Sequence, residues 1–220
     1  MDFAKARQNM VDCQIHTSGI VDPNILEPYK TIPRERFVPD KLKSLAYMDE
    51  DLHLGNARYL MEPSVHARMV EACSADDQDT VLDVGATYGY SAAILAAHAK
   101  TVFALDNDEG FAEFAVTAWH DIGIYNTVYF VDDLTVGDPK HAPFSVILFN
   151  GALTSVPDHY FEQLTTGGRL CCVVRPDPAN VGCAILFQRL ENGAISQRNL
   201  FDAATPYLPG FEPAEHFEFA

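Results

Sequence analysis

The stretch Val81-Leu82-Asp83-Val84-Gly85-Ala86-Thr87-Tyr88-Gly89-Tyr90 decides how this chain is read. A short apolar run ends around Asp83, a glycine turn follows, and Ser91-Ala92-Ala93-Ile94-Leu95-Ala96-Ala97 has the composition of a helix. Strand, glycine turn and helix start together offer a ligand free backbone N–H groups with little side-chain bulk in the way. The expectation is a nucleotide-type cofactor site.

Working outward, the pattern from Thr80 onward alternates strands and helices. The strands are expected at Thr80–Val84, Thr101–Asp106, Thr127–Val131, Ser145–Phe149 and Arg169–Val174, with helices over 89–99, 109–122 and 156–163. Ser155-Val156-Pro157 reads as the cap and start of the last helix. Such alternation implies a mainly parallel sheet covered on both faces. Two further strands, near Ala184–Leu190 and Ser196–Phe201, flank Glu191-Asn192-Gly193-Ala194. The Asn-Gly pair marks a hairpin, so the sheet should end in an antiparallel pair.

Before residue 80 the pattern is helical. Residues 3–16 carry apolar positions at near-helical spacing behind Asp2, Pro23–Thr31 follows Asp22, and 63–73 begins at Pro63. Residues 33–47 read as loop with a short helical piece. The expected organisation is one domain over 1–220. It comprises a helical N-terminal cap with the substrate loop (1–75), a Rossmann-like core (76–202) and an acidic, aromatic tail (203–220).

Composition narrows the function. The formal charge is −16, from 15 basic and 31 acidic residues, which argues against nucleic-acid and anionic-membrane partners. No apolar run reaches the ~18–20 residues of a membrane span. The N-terminus also lacks the order of a signal peptide, so a cytoplasmic protein is expected. The five cysteines, Cys13, Cys73, Cys171, Cys172 and Cys183, read as free thiols, with Cys171 and Cys172 buried. The histidines show no metal-ligand spacing, and no metal is expected.

The glycine spacing selects the cofactor. A dinucleotide fingerprint counted from Gly85 requires glycine at 87 and 90, where Thr87 and Tyr90 stand. That weighs against a nicotinamide-dependent oxidoreductase. An S-adenosylmethionine-type turn uses positions one, three and five, so Gly85 and Gly89 match and only Thr87 departs. Asp106 ends the next strand, where an acid accepts the ribose hydroxyls. Asp132 ends the third, where a carboxylate can bond the adenine amino group. The bland alternative for each acid is a helix N-cap. The cofactor residues expected are Asp83, Gly85, Thr87, Gly89, Asp106 and Asp132, and the cofactor is S-adenosylmethionine.

With those residues placed, the chain resembles the protein-L-isoaspartate O-methyltransferase family over most of its length. The resemblance runs through Arg7…Met10-Val11…Gln14-Ile15…Gly19-Ile20…Asp22, Pro33-Arg34-Glu35-Arg36-Phe37-Val38-Pro39, Ala46-Tyr47-Met48-Asp49…Leu54-Gly55 and Pro63…Ala67-Arg68-Met69. It continues in Pro157…Gln163-Leu164…Gly167-Gly168-Arg169-Leu170. It implies a Rossmann-like class I methyltransferase with a seven-stranded sheet. It further implies protein repair by methyl transfer to a carboxylate of damaged aspartyl residues, with a peptide, protein or small-molecule acceptor.

The departures fall in the cofactor site, where the family's middle glycine becomes Thr87 and the glycines flanking Asp132 become Val131 and Asp133, and in the substrate loop. Where the family has Gly-Gln-Thr-Ile-Ser-Gln-Pro, this chain has Ala57-Arg58-Tyr59-Leu60-Met61-Glu62-Pro63. The family's serine falls at Met61, its threonine at Tyr59 and its last glutamine at Glu62. An ionised carboxylate acceptor needs donors and room rather than a general base; Met61 brings bulk and no donor. Arg58 is either a bidentate grip on an acceptor carboxylate or a solvated loop charge. Glu62 either repels an anionic acceptor or faces solvent. For a neutral acceptor, His53 has the best unperturbed pKa for a base. Tyr59, Met61 and His53 are thus the catalytic positions to examine, with Arg58 and Glu62 as the substrate-binding ones. Thr87 costs ~1–3 kcal/mol if its turn demands positive φ. The alternative function is a non-catalytic or differently specific descendant that binds a ligand or partner.

Overall fold

The parallel strands form because their residues are apolar on both faces. In β3 (Thr80–Val84) every residue after Thr80 is buried, as a strand covered by helices on both sides requires. The computed structural model describes residues 1–214. In chain order its elements are α1 (Phe3–Met10), α2 (Pro23–Thr31), β1 (Leu52–Gly55), β2 (Arg58–Leu60), α3 (Pro63–Cys73), β3, α4 (Tyr90–Ala96), β4 (Thr101–Asp106) and α5 (Glu109–Asp121). β5 (Thr127–Val131), β6 (Phe144–Leu153), α6 (Asp158–Glu162), β7 (Leu164–Val174), β8 (Gly182–Arg189) and β9 (Ile195–Ala203) follow.

The seven-stranded sheet has the order β5-β4-β3-β6-β7-β8-β9. Strands β5 through β7 pair in parallel, and β8 and β9 close the sheet antiparallel. The Asn192-Gly193 turn joins the last pair, with Gly193 at φ 81°. The order reverses beside β3, so the crevice at its carboxyl end is where an open α/β sheet takes a ligand.

Several expectations shift. Helical structure over 3–16 divides into α1, a π turn over Val11–Ile15 and a 3-10 turn over His16–Ser18. Gly19, left-handed at φ 103°, ends it. Helix α6 begins at Asp158 with no side-chain cap, so Ser155 does not cap it. Strand β6 runs on to Leu153 through a register shift between Leu148 and Ala152. Residues expected as loop form the β1–β2 hairpin, with Leu52 opposite Leu60 and His53 opposite Tyr59. Three- and four-residue strands are too short to show period-2 alternation. Its turn holds Gly55, Asn56 and Ala57 at φ 110°, 49° and 53°.

The tail folds back over the sheet. Ala152 donates to the Pro206 carbonyl at 2.8 Å and accepts from the Leu208 amide at 3.0 Å. Residues 215–220, the end of the expected acidic tail, lie outside the described residues. Cys73, Cys171 and Cys172 are buried and all five cysteines are free thiols.

Arg34 ties the cap to the core. It is 1% exposed, donates through Nε to the Ala46 carbonyl and through Nη2 to the Met61 carbonyl, both at 2.7 Å, and lies 4.8 Å over the Tyr90 ring. Burial among neutral acceptors lowers its pKa. Arg34→Met leaves two buried carbonyls without donors, and a urea titration should show a loss of about 3 kcal/mol.

Candidate functional site

Asp83 and Asp106 stand on adjacent strand ends, and neither is a helix cap; Asp108 caps α5 instead, accepting from the Gly110 amide. Both acids are completely buried.

Asp83 closes a chain of hydrogen bonds that begins in the cap. Tyr29 and His66 Nδ1 are 2.7 Å apart, His66 Nε2 and Ser91 Oγ 3.0 Å, and Ser91 donates to Asp83 Oδ1 at 2.7 Å. Because the Ser91 proton goes to Asp83, its oxygen accepts from Nε2–H, and Nδ1 accepts from the Tyr29 hydroxyl. His66 is therefore neutral, and burial lowers its pKa to about 3. Asn150 also donates to Asp83 Oδ1, at 2.7 Å. Burial raises the Asp83 pKa to about 7, against the hydrogen bonds from Ser91 and Asn150 and with the help of the nearby Asp106 charge. Asp83 Oδ2 has no partner among the described residues.

Asp106 is fully partnered. Arg58 Nε lies 3.2 and 3.3 Å from its two oxygens and Nη2 lies 3.1 Å from Oδ1. The Thr87 amide donates to Oδ2 at 3.0 Å and the Asn107 amide to Oδ1 at 2.8 Å. Arg58 Nη2 also donates to Asn107 Oδ1. Arg58 is only 2% exposed. It is not a solvated loop charge; the carboxylate it grips belongs to its own chain.

The glycine turn is equally occupied. Thr87 is buried at φ 49°, so the left-handed backbone that favours glycine is present with a β-branched residue in it. Its carbonyl accepts from the Tyr129 hydroxyl at 2.8 Å. A Cβ at Gly85 would lie 2.6 Å from Leu208 Cδ2, and one at Gly89 would lie 2.7 Å from Trp119 Cζ2. The protein's own side chains take both spaces.

The remaining positions fall around or outside this centre. Met61 is 3% exposed. Tyr59 is half-buried against His53 at 5.0 Å between ring centroids, while His53 is exposed, away from the buried acids. Glu62 precedes α3, accepts from the Ser64 hydroxyl, and donates through its amide to Asp51 Oδ1 at 2.8 Å. Asp132 is exposed: its backbone bonds the Asp106 carbonyl, but its carboxylate lies 4.0 Å from Lys140 at the surface. Sequence reasoning missed His66, Ser91, Asn150 and Leu208. Ser91 at the start of α4 was visible as a polar residue on an otherwise apolar helix. Among the described residues no group of three or more His, Cys, Asp or Glu is placed to hold a metal, and no helix is long and apolar enough to cross a membrane.

Between these groups lies a cavity of about 10 Å³ lined by residues that include Arg34, Met61, Thr87, Ser91 and Asn150. It has room for about one water, whereas small-molecule sites measure ~300–1,000 Å³. A larger cleft of about 780 Å³ lies between α2 and the C-terminal ends of α4 and α5, away from the strand-end acids. Asp83 Oδ2 is an unpaired acceptor suited to a ligand's donor. Asp106, the acid suited to ribose, has no free acceptor, so S-adenosylmethionine does not fit the site in this closed arrangement.

Two tests follow from this geometry. Thr87→Gly removes the Cβ strain of ~1–3 kcal/mol and adds up to ~1 kcal/mol of chain entropy cost, so urea unfolding should show a gain of about 1 kcal/mol. For Asp83, folding raises the pKa from 3.8 to about 7. The folded state holds a proton that the unfolded chain releases, so this group's contribution is full at low pH and falls as pH rises to 7. His66 acts oppositely, losing stability as pH falls below 6.5. Asp83→Asn isolates the first effect: its Tm gain over wild type should be larger at about pH 8 than at about pH 5, and equal gains would contradict the assignment.

The comparisons agree with the architecture. The family model for Protein-L-isoaspartate(D-aspartate) O-methyltransferase (PCMT) matches residues 5–210. The chain is similar to the protein-L-isoaspartate O-methyltransferase of Roseiflexus sp. (strain RS-1), 36% identical over 92% of this chain and 91% of that protein. It is also similar to that of Geobacter metallireducens, 32% identical over 91% and 92%. A solved protein-L-isoaspartate O-methyltransferase superposes with a TM-score of 0.80 at 23% identity, covering 94% of this chain and 67% of that one. A Plasmodium falciparum structure described as a putative protein-L-isoaspartate O-methyltransferase in complex with S-adenosyl-L-homocysteine gives 0.75 at 15% identity, over 94% and 98%. With its sheet order, its paired strand-end acids and relatives matched over nearly their whole length, the chain belongs to the protein-L-isoaspartate(D-aspartate) O-methyltransferase family of S-adenosylmethionine-dependent methyltransferases.

Proposed function

We propose that the chain is a cytoplasmic S-adenosylmethionine-dependent methyltransferase that transfers a methyl group to the carboxylate of a damaged aspartyl residue in a peptide or protein. The observation that carries this reading is the pair Asp83 and Asp106, both buried at neighbouring strand ends on either side of the Gly85–Gly89 turn. Around that pair, Arg34 fixes the backbone at Met61, and the Tyr29–His66–Ser91 chain fixes Asp83. A carboxylate acceptor is already ionised at neutral pH, so the exposed position of His53 removes nothing that the reaction needs. Met61, without a donor, leaves holding the acceptor to other groups.

The closed cavity favours a second reading: a descendant that binds a ligand or partner without transferring a methyl group. Labelled cofactor and a peptide pair differing only in isoaspartate against aspartate decide between them. The isoaspartyl peptide should be labelled and its aspartyl twin should not. Asp106→Asn should lower that labelling by about a hundredfold, the scale expected when one charged hydrogen-bonding partner is lost from a buried site. No labelling by wild type under saturating cofactor would overturn the acceptor assignment.

A further inference from the structure

We propose that Arg58 is an internal competitor for the ribose acid, so that the β1–β2 hairpin must release Asp106 before the cofactor can bind. This rests on the reading of the chain as a methyltransferase that uses S-adenosylmethionine.

A carboxylate offers about four lone-pair positions. Those of Asp106 are used by the Arg58 guanidinium and by the Thr87 and Asn107 amides. The amides are backbone and stay with the turn; the guanidinium arrives from 48 residues away and is the replaceable partner. A vicinal diol presents two donors side by side, and so does the guanidinium fork. The two compete for one acceptor.

The competitor sits on a small element of its own. Only three register pairs hold β1 to β2, and the pair forms its own two-stranded sheet, separate from the main one. Its turn strings three left-handed residues together, including the non-glycines Asn56 and Ala57 at φ 49° and 53°. The hairpin is latched to the end of β4 and the residues after it by Arg58 on Asp106 and Asn107, and by Asn56 Nδ2 on Asp108 Oδ2 at 2.6 Å. Both latches end on residues within two positions of one another.

The consequence is thermodynamic. A ligand that binds only the open form has its apparent affinity reduced by the open fraction. Removing a latch raises that fraction. Calorimetric titration with S-adenosylhomocysteine should show binding about ten- to a hundredfold tighter in Arg58→Ala than in wild type, and about two- to tenfold tighter in Asn56→Ala. Asn56→Ala touches no buried charge, so it keeps the test open if Arg58→Ala folds poorly. Hydrogen exchange of wild type should also quicken over residues 52–60 when the ligand saturates. Equal or weaker binding in both variants, or slower exchange over the hairpin, overturns the competitor. Absence of binding at millimolar ligand in wild type and Asn56→Ala alike overturns the cofactor reading beneath it.

Discussion

The Arg58–Asp106 ion pair is the interaction on which the rest of the site depends. A fully buried carboxylate at the end of β4 needs compensation. The chain provides it internally, with a guanidinium from β2 and two backbone amides. Arg58 opens β2 directly after the left-handed turn residues Asn56 and Ala57, so the ion pair fixes this end of the hairpin to the end of β4. Thr87, at φ 49°, donates its amide to the same carboxylate.

The second buried acid is handled by a different physics. Asp83 has no cation; it has a neutral relay from Tyr29 through His66 and Ser91, and an amide from Asn150. Burial consequently raises its pKa to about 7. One strand end holds an acid paired with a guanidinium, and the next holds an acid whose pKa burial pushes up to about 7. Arg34 serves this half of the site without touching either acid. Holding the Met61 carbonyl while lying over Tyr90, it brings the segment after β2 against the start of α4.

What was legible in the sequence follows from what is local. β3, β4 and β5 were readable because each apolar run stops at an acid or a glycine at its carboxyl end: Gly85, Asp106 and Asp132. The family resemblance was readable because its segments span most of the chain. The hairpin was not, since seven residues in two strands carry no period. The partner of Arg58 was not, because a guanidinium looks the same beside solvent, a substrate or a buried aspartate 48 positions on. Asp132 shows the converse: a strand-end acid in the right place along the chain, whose carboxylate faces the surface. Leu208 was hidden because Gly85 reports that something comes close without saying what.

The departures from the family's pattern at positions 58, 61 and 87 are best understood as one change rather than three. Thr87 and Arg58 share Asp106, while Met61 and Thr87 line the same cavity of about 10 Å³. Residues that share a partner or a void do not contribute independently. Restoring glycine at 87 alone would leave the guanidinium on Asp106, and so would restoring serine at 61 alone. The β1–β2 hairpin and the end of β4, far apart in sequence, are tied together by the Arg58 guanidinium and by Asn56 on Asp108.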